Sequence, residues 1–340
     1  MARLVFLVHG MGDQPPDWSA SVRAKLDEVA ARYGNFRNGL PFSQRVELVE
    51  IGYDAVFDGF VNQFAGDFAN LEQFAQQAGR SIGKVANWFP NANESERGFF
   101  WTHVVDVLLY HGFKLVRDEV RVKVMQQFAR KLTTSFQGGQ IVDAFVIAHS
   151  LGTAVTCDTL ALLGSQPFNN SNAFLAGTGM QFKGVFTIAN VAKEVATDID
   201  PYTSVLHPDS AVLNPDSPAY CARFGNFRHT LDPFCRLVPF APPNWGSDFN
   251  SVEDLKHIHD VNVHGFEHYL DHPKVHIPII NGIFETRIIT SQERAGAIRD
   301  YPAVSSECNA ELLAMQNFIQ GLDAPNDTQE LVIAVAEFLA

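Results

Sequence analysis

IVDAFVIAHSLG, residues 141–152, is a nearly unbroken apolar run that ends in a turn of small residues around one serine. Residues 141–148 are rich in β-branched and aromatic side chains, as suits a strand buried on both faces, and Ser150 to Leu163 reads as a helix. A strand that breaks into a helix this abruptly needs small residues beside Ser150, and the turn lifts the serine oxygen clear of the sheet edge. The serine then sits at a helix N-terminus. There the Leu151 N–H faces the oxygen that turns negative when an acyl carbon becomes tetrahedral. A helix-capping serine after a strand is the plainer alternative.

Working outward, Arg3 to Val8 (RLVFLV) is a second buried strand, and it ends at His9-Gly10-Met11-Gly12. A helix from Trp18 to about Tyr33 and a strand from Arg45 to Gly52 complete a β-α-β unit. Strands are expected at Phe182–Ala189, near Tyr220–His229 and at His257–Val263. The alternation predicts an α/β fold, a mostly parallel sheet covered by helices on both faces. Between Val56 and Lys84, bulky apolar residues recur every three or four positions (Phe57, Phe60, Phe64, Phe68, Leu71, Phe74), which predicts one amphipathic helix. That face either covers the sheet or forms a lid over an apolar pocket. Asn87–Glu96 reads as a loop, Phe100 to about Thr134 as one long helix, and Asp198–Pro218 as a surface excursion. Further helices are expected at Ala310–Gln320 and Thr328–Leu339. One domain spans 1–340, with a helical insertion at about 54–100 and a C-terminal extension at about 276–340.

The chain has 340 residues and a formal charge of −13, with no dense Lys/Arg block, so nucleic acid and anionic membrane surfaces are disfavoured as partners. No run of about 18 apolar residues is present for a membrane span. No secretory signal pattern is seen, and the four cysteines (157, 221, 235, 308) are too scattered for a metal knot or disulfide framework, so a cytoplasmic protein is expected. No nucleotide-binding glycine motif appears, so no cofactor is expected.

Through AHSLG at 148–152 and HGMG at 9–12, the sequence resembles the α/β-hydrolase superfamily, its lipase- and esterase-like members in particular. The likeness covers roughly residues 3–275; Ala148 stands where the commonest pattern has Gly, and the stretch 54–135 matches nothing in the family. The resemblance implies that the loop after the first strand supplies a second oxyanion N–H, which falls on Met11 beside Leu151. It also implies the chain order Ser, then acid, then His. Asp232 is the acid expected, because Phe227–Pro233 places it just past a strand end, similar to the strand-Asp-Pro arrangement of such hydrolases. Asp260 and Asp248 are the other acids considered, and a turn-capping role is the bland alternative for Asp232. His264, directly after the last expected strand, is the base, with His268 as its substitute. The implied activity is a serine hydrolase acting on small-molecule carboxylic esters through an acyl-enzyme, the ester having an apolar part on the strength of the aromatic stripe.

Two other functions compete. Residues 264–268 spell H-x-x-E-H, the order of an inverted zinc-peptidase motif, although Gly265 and Pro273 weaken a continuous helix there. A hydrolase fold without catalysis, serving as a binding module, is the other.

Overall fold

Strands β1 (Ala2–Val8), β2 (Glu47–Ile51), β3 (Val142–His149), β4 (Gly184–Ile188), β5 (Phe224–His229) and β6 (Asn250–Leu255) form one sheet in the order β2-β1-β3-β4-β5-β6. Every neighbouring pair is parallel. The structure is a computed structural model that describes residues 2–12, 14–64, 66–137, 142–165, 182–202, 221–236, 239–242, 250–255, 262–284, 287–301 and 328–339. The expected helix at 310–320 and the acids Asp248 and Asp260 lie outside the described residues.

A parallel sheet needs cover on both faces, and the strands divide their side chains accordingly. Leu4, Phe6 and Val8 of β1 and Ala144, Val146 and Ala148 of β3 enter one core, whereas Val5, Leu7, Phe145 and Ile147 enter the other. The second face is covered by α1 (Ser19–Ala31), followed in the chain by the short helices α2 (Gly34–Arg37) and α3 (Phe42–Arg45).

The first face carries most of the aromatic inventory. The single helix expected over 56–84 is three: α4 (Asp54–Phe64), α5 (Phe68–Gln77) and α6 (Gly83–Trp88). Gly66 (φ 70°) and Gly79 (φ 67°) take left-handed conformations that end the first two helices. The expected loop at 87–96 is also largely helical, with a 3-10 turn at Phe89–Asn91 and α7 (Glu94–Phe99), which a reciprocal Asn93–Glu96 capping box starts. In place of one helix from 100 to 134 come a π-turn (Phe100–Val104), α8 (Val105–Gly112) and α9 (Lys114–Gln137), the last two hinged at extended Phe113. Phe57, Phe60, Phe64 and Leu71 are buried in the core of this face, and Phe68 and Phe74 pack against it. The stripe packs into the core on this face, with α4 against α5, α8 and α9. Each fully buried Phe contributes on the order of 2–3 kcal/mol relative to an exposed one.

Helix α10 (Leu151–Ser165) leaves β3 directly, α11 (Pro233–Arg236) follows β5, and α12 (Phe266–Asp271), α13 (Pro273–Phe284) and α14 (Ser291–Asp300) come after β6. Among the described residues the last strand is β6; of the strand expected at 257–263, residues 257–261 lie outside those described, and Val263 and His264 are turn. The proposed boundary at 276 falls inside α13, whose Val275, Ile277, Ile279, Ile280 and Ile283 fill the second core. That helix is part of the sheet's cover. The final helix, α15 (Thr328–Leu339), returns to α6 and α7, where Glu337 accepts from the Trp88 indole N–H at 3.0 Å. Among the described residues no helix is long and apolar enough to cross a membrane.

The connection from β1 goes to one side, to β2, and the chain then returns to lay β3 on the other side of β1. The carboxyl ends of β1 and β3 therefore border the point where strand order reverses, the crevice in which open parallel sheets bind ligands.

Candidate active site

Ser150 stands at that crevice with φ 51°, a left-handed conformation that a β-substituted residue adopts at a cost of order 1–3 kcal/mol. Its backbone is held on both sides. The Ser150 N–H donates to Ile188 O at 3.0 Å, while Ser150 O accepts from Thr153 N–H (2.9 Å) and the Thr153 hydroxyl (2.7 Å). Two glycines permit the close approach of the β1 loop. A Cβ on Gly152 would lie 2.0 Å from His9 O, and one on Gly10 would lie 2.8 Å from Ser150 Cβ, so neither position accepts a larger residue without moving the backbone.

His264, in the turn before α12, and Asp232, in the turn after β5, complete a hydrogen-bonded chain. Asp232 Oδ2 is 2.9 Å from His264 Nδ1, and His264 Nε2 is 2.8 Å from Ser150 Oγ. Asp232 is fully buried, which by itself would raise its pKa. The His264 ring beside it and hydrogen bonds from His264, the Tyr269 hydroxyl and the Phe234 N–H outweigh burial and hold the carboxyl below its ordinary value. An ionised carboxylate only accepts, so His264 carries its proton on Nδ1 and offers the Nε2 lone pair to the serine hydroxyl.

Tyr269, absent from the candidates read in the sequence, is the second support of Asp232. Its hydroxyl donates to Asp232 Oδ2 at 2.8 Å and accepts from the His229 N–H at 2.9 Å. Burial keeps the phenol protonated by raising its pKa well above the ordinary value. A tyrosine five positions beyond the candidate base was visible in the sequence, but nothing local marked its partner.

His149, the other residue missed, flanks Ser150 without taking part in the hydrogen bonds that join Ser150, His264 and Asp232. Its Nε2–H donates to His264 O at 2.6 Å, and its ring stacks on Phe266 with centroids 4.9 Å apart. Burial, and then the neighbouring His264 ring, push its pKa down to about 3, so it is neutral and fixes the backbone that carries His264.

His268 does not join this arrangement. Its ring lies against His229, with centroids 5.7 Å apart. The H-x-x-E-H residues are dispersed: both His264 nitrogens are engaged by Asp232 and Ser150, and Glu267 accepts from the Ser21 hydroxyl at 2.5 Å. Gly265 is the N-cap of α12, so His264 precedes the helix rather than lying on it. Among the described residues no group of three or more His, Cys, Asp or Glu is placed to hold a metal ion.

A cavity of about 210 Å3 opens onto Ser150 and His264, walled by Met11, Gln14, Trp18, His103 and Phe266 among others. Leu151 begins α10, so its N–H belongs to the first turn, where amides lack an intrahelical acceptor. None of the aromatic residues of α4 and α5 lines this cavity. A larger space of about 670 Å3 lies between Arg32, Asp271 and Tyr301, away from the serine, and borders residues that are not described.

No family model matches the chain, and no curated protein matches it significantly. Among solved structures, it is similar to an uncharacterized protein from Pseudomonas aeruginosa at 11% identity and a TM-score of 0.35, over 97% of this chain and 52% of that one. The chain spans about half the length of that protein.

Proposed function

We propose that this protein is a serine hydrolase that cleaves carboxylic esters, with Ser150 as nucleophile, His264 as general base and acid, and Asp232 as the carboxylate that orients His264. The observation that carries the reading is the continuous chain Ser150 Oγ–His264–Asp232, at 2.8 and 2.9 Å, built on a serine at φ 51°. A helix-capping serine would need neither the strained backbone nor an imidazole aimed at its hydroxyl.

In acylation, Ser150 Oγ attacks the ester carbonyl carbon as its proton passes to His264 Nε2. The imidazolium that forms is stabilised by buried Asp232, and the carbonyl oxygen, now negative, is met by the Met11 and Leu151 N–H groups. His264 then protonates the departing alcohol, leaving an acyl-Ser150 that water hydrolyses with the same imidazole as base. The aromatic stripe that suggested an apolar ester is spent in the core, so the roughly 210 Å3 cavity favours esters with a small acyl group instead.

Labelling with a fluorophosphonate at neutral pH, with and without a chelator, tests the reading. We expect chelator-insensitive labelling of wild type that is absent from Ser150→Ala, together with hydrolysis of p-nitrophenyl acetate. Folded wild type that does not label would overturn it, and labelling abolished by the chelator would return weight to a metal-dependent hydrolase.

A further inference from the structure

The β1 loop is gripped from both sides by residues far away in the chain. The Tyr53 hydroxyl, at the end of β2, lies 2.7 Å from His9 O and 2.9 Å from Gly10 O. His9 adds its Nδ1–H to Gly10 O at 2.7 Å, and its ring stacks on Tyr53 with centroids 4.2 Å apart. Burial lowers the His9 pKa to about 4, outweighing the hydrogen bond to Gly10 O, which opposes the shift; Asp54 Oδ2 lies 3.2 Å from Nε2. On the other flank the Gly12 N–H donates to Oδ2 of buried Asp106, from α8, at 2.9 Å. Gly12 itself takes φ 92°, so the loop turns sharply there.

Between these two anchors lies the Gly10–Met11 peptide. In a trans peptide the C=O and N–H point in opposite directions, so holding Gly10 O on the His9 Nδ1–H and beside the Tyr53 hydroxyl, whose one proton His9 O and Gly10 O share, holds the direction of the Met11 N–H as well. That N–H is turned to the side away from Tyr53, and Gly10, Met11 and Ser150 line one cavity. Gly10 is packed against Ser150, so a small rotation of this peptide would swing the donor off the reacting oxygen.

We infer that Tyr53 and Asp106 are positioning residues for the oxyanion hole, acting through the Gly10–Met11 peptide. The inference rests on the serine-hydrolase reading. Neither residue touches the substrate. Their effect is confined to the charge that develops on the carbonyl oxygen, so ground-state binding is unaffected.

Tyr53→Phe keeps the ring that stacks on His9 and removes only the hydroxyl. For p-nitrophenyl acetate, with rates normalised to sites titrated by fluorophosphonate, kcat should fall roughly 10- to 100-fold while KM stays within about twofold. An aryl trifluoromethyl ketone reads the same group without turnover. Ser150 Oγ adds to its carbonyl carbon, the proton goes to His264, and the carbonyl π pair becomes an oxyanion in the hole. Its affinity should fall by the factor lost from kcat/KM. Asp106→Ala should behave likewise, whereas Asp106→Asn, whose Oδ1 still accepts from Gly12, should recover most of the loss.

Wild-type turnover with kcat and ketone affinity unchanged in Tyr53→Phe would overturn the inference and leave the hydrolase reading standing. Wild type that neither labels nor turns over would overturn both. Should Tyr53→Phe not fold, the Asp106 pair decides: equal losses in the Ala and Asn variants would sink the proposal.

Discussion

The carboxyl edge of the sheet and the helical layer over its first face are built from the same few kinds of residue but on different principles. At the edge, polar groups are buried singly and each is held in one direction: Asp232 by His264, Tyr269 and Phe234, Ser150 by Ile188 and Thr153. In the helical layer, aromatic side chains fill volume with little directional demand. Phe128 of α9 meets Phe6 edge-on with centroids 4.7 Å apart, and Phe68 stacks on Phe89 at 4.5 Å. The difference teaches that orientation is concentrated where chemistry is proposed, and cohesion where it is not. Loss at the edge should show in rate, and loss in the layer should show in stability.

The sharpest way to break that division is at Ser150 and Asp232. Ser150→Ala and Asp232→Asn should each lower kcat by about 10^4-fold or more, with melting temperature nearly unchanged for the serine variant. Steady-state kinetics beside a thermal melt would decide. A rate loss below about tenfold in Ser150→Ala would place the chemistry elsewhere.

The converse substitution lies in the aromatic layer. Phe128 is fully buried, so Phe128→Ala should cost about 3–5 kcal/mol of stability and leave fluorophosphonate labelling of the folded fraction intact. Urea denaturation measures the first and labelling at low denaturant the second. Equal loss of both would mean that the layer also tunes the site.

Tyr269→Phe sharpens the boundary, since it removes one hydroxyl from the edge and almost no volume. A hydrogen bond to a buried carboxylate is worth about 1.5–3 kcal/mol, so kcat should fall roughly tenfold or somewhat more, with the acid limb of the pH–rate profile shifted. An unaltered profile would assign Tyr269 to packing alone.

The smallest effect concerns pH. His276 Nε2 accepts from the Tyr33 hydroxyl at 2.6 Å and its Nδ1–H donates to Leu270 O at 2.7 Å, so the native ring is neutral, its pKa lowered by burial to about 4. The unfolded ring titrates near 6.5. Between those values the unfolded state holds the extra proton, so stability is fully present above about pH 6.5 and is lost as pH falls toward 4. Each such histidine contributes a slope of about 1.4 kcal/mol per pH unit. Denaturation midpoints from pH 7 to 4.5 should show a shallower slope in His276→Asn than in wild type. Identical slopes would mean that the ring is already protonated in the native protein.

Local signals in the sequence were informative where a residue's role depends on its immediate neighbours. The apolar runs at 3–8 and 141–148 mark strands because only a doubly covered strand is apolar at every position, and the small residues around Ser150 mark a turn because nothing larger fits. Asp232 and His264 were chosen through the chain order that the resemblance implies and their places after expected strands. Strand β6 was not among the expected ones, because a mixed polar stretch such as Asn250–Leu255 carries no hydrophobic pattern to announce it.

The residues alone thus determined an α/β alternation and the serine turn, while the order of the three polar groups came from the resemblance. Tertiary structure decided the rest. A three-to-four-residue aromatic period identifies an apolar helical face but not the surface it meets, which in the fold is the first core, beside α8 and α9. That face is divided into separate helices, with left-handed Gly66 and Gly79 just past the ends of α4 and α5. Tyr53 and Asp106 reach the β1 loop across 43 and 94 residues of chain, and no local pattern encodes a hydrogen bond that exists only once β2 and α8 have packed beside it.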